Sequence, residues 1–144
     1  MKAIQLLKRK WLLNKGENMN FQKSIEICFT KFGTFSGRAS RSEYWWFYLF
    51  VTVMEYLVQI AAGVEKLNTP EVSKIWVSLG LFVGYVVIMI PVLSAGSRRL
   101  HDIGKSGWWQ LLVITIVGII PLTIWMARPG DRELNKYGPA IENI

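Results

Sequence analysis

The sequence predicts an all-α integral membrane protein with about three transmembrane helices and a short N-terminal interfacial helix. Three observations lead there. Hydrophobic residues make up 51% of the 144, and most are gathered in three long stretches with the charges between them. Mean hydropathy is +0.27, a positive value that soluble domains of this size rarely reach. Many of the 7 Trp sit at the ends of the apolar stretches, where an amphipathic ring suits the headgroup region.

Residues 1–18 read as a non-native or disordered extension. Ile4, Leu6, Leu7, Trp11, Leu12 and Leu13 flank Lys8-Arg9-Lys10, which interrupts any secretory apolar core and leaves an amphipathic anchor as the alternative. Lys15-Gly16-Glu17-Asn18 can be encoded by a run containing a bacterial ribosome-binding sequence, so translation is expected to begin at Met19. Residues 19–140 form one membrane domain, with 128–144 as a polar tail. Ile25, Ile27, Cys28, Phe29 and Phe32 interleave with Lys23, Glu26 and Lys31, the pattern of an amphipathic helix lying at the interface and ending at Gly33.

The first span opens on Ser40-Arg41-Ser42-Glu43. In this capping box the Ser40 hydroxyl accepts from the Glu43 N–H and the Glu43 side chain returns to the Ser40 N–H. Tyr44–Val64 follows, 21 residues, enough for a hydrocarbon core of about 30 Å. After the polar link Glu65–Lys74, with Thr69 as N-cap and Pro70 as first helical residue, a second span covers Ile75–Ala95. It carries Gly80 and Gly84, a spacing that lets helices approach closely, and Pro91. A short loop is expected over 96–107, then a third span over Trp108–Ala127, stopped by Arg128-Pro129-Gly130.

Net charge is +7, from 17 Lys and Arg against 10 Asp and Glu. The basic residues lie beside apolar spans, which favours a lipid surface over nucleic acid. Nine precede Tyr44, two lie in the first link, three in the second loop and three in the tail. With three spans, twelve fall on one side and five on the other. The positive-inside rule then puts the N-terminus and the Arg98–Gly107 loop in the cytoplasm and the tail outside. Cys28 is the only cysteine and His101 the only histidine, so an intrachain disulfide and a Cys/His zinc or haem site are excluded.

Two segments are dense in chemistry, Gly37–Tyr48 and Arg98–Trp109, each with arginine, a carboxylate and paired tryptophans. Arg38, Arg41, Arg98 and Arg99 suit lipid phosphates, and Glu43 and Asp102 suit pairing with them. The plain alternative is an ordinary belt of snorkelling arginines and interfacial tryptophans. Gly104-Lys105-Ser106 is no phosphate loop, since Arg99 stands where its first glycine belongs. His101-Asp102 lacks an accompanying nucleophile motif. Within the first span Glu55 lies 11 residues past Tyr44, about 16 Å deep. Tyr85 lies at similar depth, and Glu55 is expected to face the bundle and hydrogen-bond Tyr85 or a backbone carbonyl.

The run Phe35-Ser36-Gly37-Arg38-Ala39-Ser40-Arg41-Ser42-Glu43-Tyr44-Trp45 resembles the F-x-G-R-x-x-R-x-E-Y-W opening of the bacterial membrane family catalogued as domain of unknown function 805, the YhaH-like inner-membrane proteins. Arg98-Arg99-Leu100-His101-Asp102 and Ser106-Gly107-Trp108-Trp109 are similar to its second signature. Pro129-Gly130 through Asn135-Lys136-Tyr137-Gly138-Pro139 is similar to its ending, although Glu133, Ala140 and Ile141 depart from it. The resemblance covers about residues 19–140. It implies a bacterial inner-membrane location and brings no activity with it.

The expected function is that of a non-enzymatic inner-membrane protein. Its cytosolic face of Arg38, Arg41, Glu43, Arg98, Arg99, His101 and Asp102 would bind anionic lipid headgroups or a partner protein. The alternative is a subunit of a small oligomeric transporter or channel, centred on Glu55 and Tyr85. Expected partners are the bilayer, anionic headgroups, and further copies or another membrane protein. No cofactor, metal or nucleic acid is expected.

Overall fold

The computed structural model describes residues 19–66 and 70–141. The extension expected over 1–18, the expected cap Thr69 and the last three residues lie outside the described residues.

The regular structure among the described residues is all helical, with no strand, and the tail beyond Ala127 is built of turns. The first helix, α1 (Phe21–Thr30), is capped by Asn20, whose side chain accepts from the Lys23 N–H at 2.8 Å. Its buried residues, Ser24 and Cys28, are four apart and so share a face. That face packs on α2 (Arg41–Lys66): the Ser24 hydroxyl donates to the Glu43 carbonyl at 2.5 Å, and Phe29 meets Phe47 edge-on at 5.6 Å. Gly33, at φ +80°, turns the chain out of α1 in a conformation that side-chain-bearing residues seldom adopt.

Half of the capping box forms at the start of α2. The Glu43 N–H donates to Ser40 Oγ at 3.1 Å. The reciprocal half does not form, because the Glu43 carboxylate is taken by Arg98 instead. A buried guanidinium offers a carboxylate far more than an exposed backbone N–H does.

Next comes α3 (Glu71–Asp102), 32 residues with Pro70 at its N-cap. Residues 96–102, expected as a loop, are its last two turns. The polar residues that suggested a loop are instead satisfied from inside the fold. Among the described residues two stretches are long and apolar enough to cross a membrane, Arg41–Gly63 and Ile75–Asp102.

The expected third span over 108–127 is corrected. Its residues form a 3-10 helix, Gly107–Ile114, and a separate α-helix, α4 (Ile116–Ala127), divided at Thr115. Thr115 is extended and caps α4 through its side chain, which accepts from the Gly118 N–H at 3.1 Å. At 12 residues α4 is about 18 Å long, short of a hydrocarbon core of about 30 Å. The two pieces fold back on each other: Trp109 near the start of the first meets Trp125 near the end of the second, centroids 5.4 Å apart. A Cβ at Gly118 would collide with the Leu112 carbonyl, so the glycine permits this close return.

The hairpin therefore ends where it began. The Lys105 ammonium lies 4.0 Å from the Trp125 ring centroid, and Arg99 donates to the Met126 carbonyl at 2.9 Å. The hairpin is fastened to α3 by Gln110, whose Nε2 donates to Ser97 Oγ at 2.7 Å and the Leu93 carbonyl at 3.1 Å. The tail follows α4 to the same end as the start of α2.

Cys28, Phe47, Val51 and Ala95 form the buried apolar cluster, with Ile25, Tyr44, Phe50, Ile88 and Val92 packed around it. All of them lie in the half of the bundle nearest the start of α2 and the end of α3. Beyond Val51 and Ile88 the two long helices leave an open cleft between them.

Candidate functional site

Three elements meet at the capped end: the start of α2 with the segment before it, the last two turns of α3, and the tail. Arg38, Glu43, Arg98, Arg99 and Asp102 are all buried there. Charge in such a place is tolerable only when paired and hydrogen-bonded.

The Asp102 carboxylate serves two arginines. Oδ1 accepts from Arg38 Nε at 2.8 Å, and Oδ2 accepts from Arg99 Nη1 at 2.6 Å. Arg99 and Asp102 are three apart on α3, so the helix itself sets their approach. The other donors of Arg38 go to the tail. Nη1 reaches the Glu133 carbonyl at 2.9 Å and the Gly138 carbonyl at 3.3 Å, and Nη2 reaches the Asp131 carbonyl. Arg99 Nη2 reaches the Arg128 carbonyl. Each guanidinium thus satisfies backbone carbonyls at the end of α4 and in the tail, where no regular ladder supplies donors.

Arg98 turns the other way and donates from Nη1 to Glu43 Oε1 at 2.5 Å. Its Nε and Nη2 are buried without a hydrogen-bond partner among the described residues. Cys28 is wholly buried close by. Burial pushes its thiol up to about 11; the Glu43 charge adds to the rise, and Arg98 opposes it.

His101 Nδ1 lies 3.1 Å from the Gly37 carbonyl, which can only accept, so this nitrogen carries the proton. The ring stacks on Tyr137, centroids 3.8 Å apart and planes 6° from parallel. Asn135 donates to the His101 carbonyl at 3.0 Å and to Asp131 Oδ2 at 2.8 Å.

Of the seven residues singled out from sequence at this face, six come together in these contacts. Arg41 does not: it is exposed and makes no ion pair among the described residues. The carboxylate–guanidinium pairing expected between the two segments is present twice over. The part played by Asp131, Asn135, Tyr137 and Gly138 was not anticipated. Its only sequence signal was the turn-rich run Asn135-Lys136-Tyr137-Gly138 in the resemblance.

Glu55 and Tyr85 both line the cleft between α2 and α3, which has a volume of about 700 Å³. The expected hydrogen bond between them is not formed, and Glu55 has no hydrogen-bond or ion-pair partner among the described residues. Gln59, Gly80 and Gly84 line the same cleft, and a Cβ on either glycine would meet open space.

Two inner membrane proteins are similar to this chain. Inner membrane protein YhaI of Escherichia coli (strain K12) is 31% identical over 105 residues, 72% of this chain and 82% of that protein. Inner membrane protein YhaH of the same strain is 28% identical over 114 residues, 73% of this chain and 84% of that protein. No solved structure matches. Residues 32–139, from just before the Arg38 segment to just past Gly138, match the family described as protein of unknown function DUF805, and this helical membrane protein belongs to it.

Proposed function

We propose that the protein is a non-enzymatic inner-membrane module whose capped end faces the cytoplasm and binds anionic lipid headgroups through its exposed basic rim. The chain crosses the membrane twice, α1 lies along the interface, and the hairpin of residues 107–127 dips into the bilayer and returns. Among the described residues Lys66 and Lys74 lie at the far end of the long helices, and the other ten Lys and Arg belong to the capped end. That is the asymmetry a cytoplasmic face carries.

One observation redirects the headgroup contact. Arg38, Arg98 and Arg99 are buried and spent on internal partners, so lipid phosphates cannot reach them. Arg41, Arg128, Arg132 and Lys136 remain exposed around them, with Trp108 and Trp109 exposed at the same end. Basic side chains beside interfacial tryptophans suit an anionic leaflet.

The test is retention of phosphatidylglycerol against phosphatidylcholine by the full chain in mixed nanodiscs. Changing Arg41, Arg128, Arg132 and Lys136 together to Gln should abolish the preference, each charge being worth about fivefold. Unchanged preference with an unchanged melting temperature would sink the proposal. A second reading, a subunit of an oligomeric transporter, is favoured by the cleft that carries Glu55. It requires more than one copy, since two spans enclose no pore.

A further inference from the structure

We infer that the cleft between α2 and α3 is a self-association site, occupied by α2 of a second copy of this chain, with Glu55 of each copy hydrogen-bonded to Glu55 of the other. The inference rests on the common orientation proposed above, but not on headgroup binding.

Depth comes from the cap. Glu43 and Arg98 are paired, which sets α2 and α3 in register. Glu55 is 12 residues from Glu43 and Tyr85 is 13 residues from Arg98, so they lie about 18 Å and about 20 Å from the cap. Both are thus near the middle of the bilayer. A carboxyl at this depth is costly unless another group meets it. Its own chain supplies none among the described residues, and acyl chains carry no hydrogen-bonding group. The apolar parts of the long helices are also largely bare: 17% of an 18-residue apolar stretch within Arg41–Gly63 and 6% of one within Ile75–Asp102 are buried.

The chemistry of Glu55 selects the occupant. In its acid form a carboxyl has one donor and one acceptor, so two of them satisfy each other fully. Copies inserted in the same direction are related by a two-fold axis along the membrane normal, which brings each residue of α2 opposite its own counterpart at equal depth. Gln59, one turn further along the same face, also carries both donor and acceptor and pairs with itself in the same way. A foreign helix would need a matching polar residue at this one depth, whereas a second copy carries it by construction. Ala62, Gly63, Gly80 and Gly84 line the remaining cleft and leave room for the incoming backbone.

The test is cysteine cross-linking in native membranes. Cys28 is wholly buried, and the unaltered chain serves as its control. Gln59→Cys, in the cleft, should give a disulfide-linked dimer on mild oxidation. Tyr56→Cys, at nearly the same depth but outside the cleft, should not. In the Gln59→Cys background, Glu55→Leu should lower dimer affinity by about three- to tenfold and Gly84→Leu should abolish it, while Glu55→Gln, which keeps donor and acceptor, should restore it. A melting temperature equal to that of the unaltered chain shows that the cap is intact in each variant. Equal cross-linking at 56 and 59, no dimer at either position, or cross-links only to a different protein would each overturn the inference.

Discussion

The carboxylate of Asp102, at the last turn of α3, lies 2.8 Å from Nε of Arg38, 64 residues earlier in the chain. The same carboxylate holds Arg99 at 2.6 Å, and both arginines bind carbonyls that follow α4, Arg38 that of Glu133 and Arg99 that of Arg128. One side chain therefore ties together the segment before the first span, the end of the second and the tail.

Removing that side chain should be severe. Asp102→Ala leaves two buried guanidinium groups without their counter-ion, and breaking a buried pair in this way costs about 3–5 kcal/mol. The Glu43–Arg98 pair should behave the same way in single variants. The double variant Glu43→Leu with Arg98→Met should be much milder, since it removes both charges and the idle Nε and Nη2 of Arg98 together. Thermal unfolding in detergent measures all four proteins. A double variant as unstable as its two single variants combined would show that the pair does not act as a unit.

Gly130 lies against Asp102, so that an added Cβ would clash with the carboxylate. Gly130→Ala should cost about 1–3 kcal/mol through overpacking, concentrated in the tail. Limited proteolysis should then cut between Asp131 and Tyr137 at least tenfold faster, while α2 and α3 stay protected. Unchanged cleavage would mean that the Arg38 contacts hold the tail without this close approach.

Cys28 gives a pH signature. Its thiol is pushed from 9.0 to about 11 in the folded chain, chiefly by burial. The unfolded chain therefore gives up this proton first. The stability contributed by the neutral thiol is complete below about pH 9 and is lost as pH rises toward 11, to a limit of about 2–3 kcal/mol. Melting temperatures of the unaltered chain and Cys28→Ala should converge over that interval, after a fixed offset for the lost sulfur at neutral pH. Parallel curves would contradict the burial seen here.

Much of the fold was legible because the first two spans obey simple length and hydropathy rules. The Ser40 cap was legible because its side chain bonds the N–H three residues on. The third apolar stretch misled because hydropathy counts residues and not their path. Its 20 residues are long enough to span, and only Thr115, an extended cap beside Gly118, divides them. Likewise Gly96-Ser97-Arg98-Arg99 reads as loop by polarity. It is helical because Gln110 bonds Ser97, and because Glu43 and Asp102 bond the arginines. Such partners lie 13 to 64 residues apart, except within the Arg99–Asp102 turn, and spacing along the chain does not reveal them. The Gly80 and Gly84 spacing was visible in the sequence; that it faces an open cleft was not.

The proposed two-crossing topology turns on the division at Thr115, and reporters can test it. With two crossings and a returning hairpin, a C-terminal fusion should be cytoplasmic, on the side of the Arg38 segment. Three full spans would place it outside. A cysteine at Lys66 should be labelled by an impermeant maleimide added to intact spheroplasts, whereas a cysteine at Arg132 should be labelled only after lysis. Gly118→Leu should disturb this arrangement, because a side chain there collides with the Leu112 carbonyl and prevents the two halves of the hairpin from closing. The tail would then be drawn away from Arg38, and the Arg132 site should become more reactive in lysed membranes. An externally labelled cysteine at Arg132 together with a cytoplasmic Arg38 segment would require the tail to cross the bilayer. That is incompatible with the Asp131, Glu133 and Gly138 carbonyls accepting from Arg38.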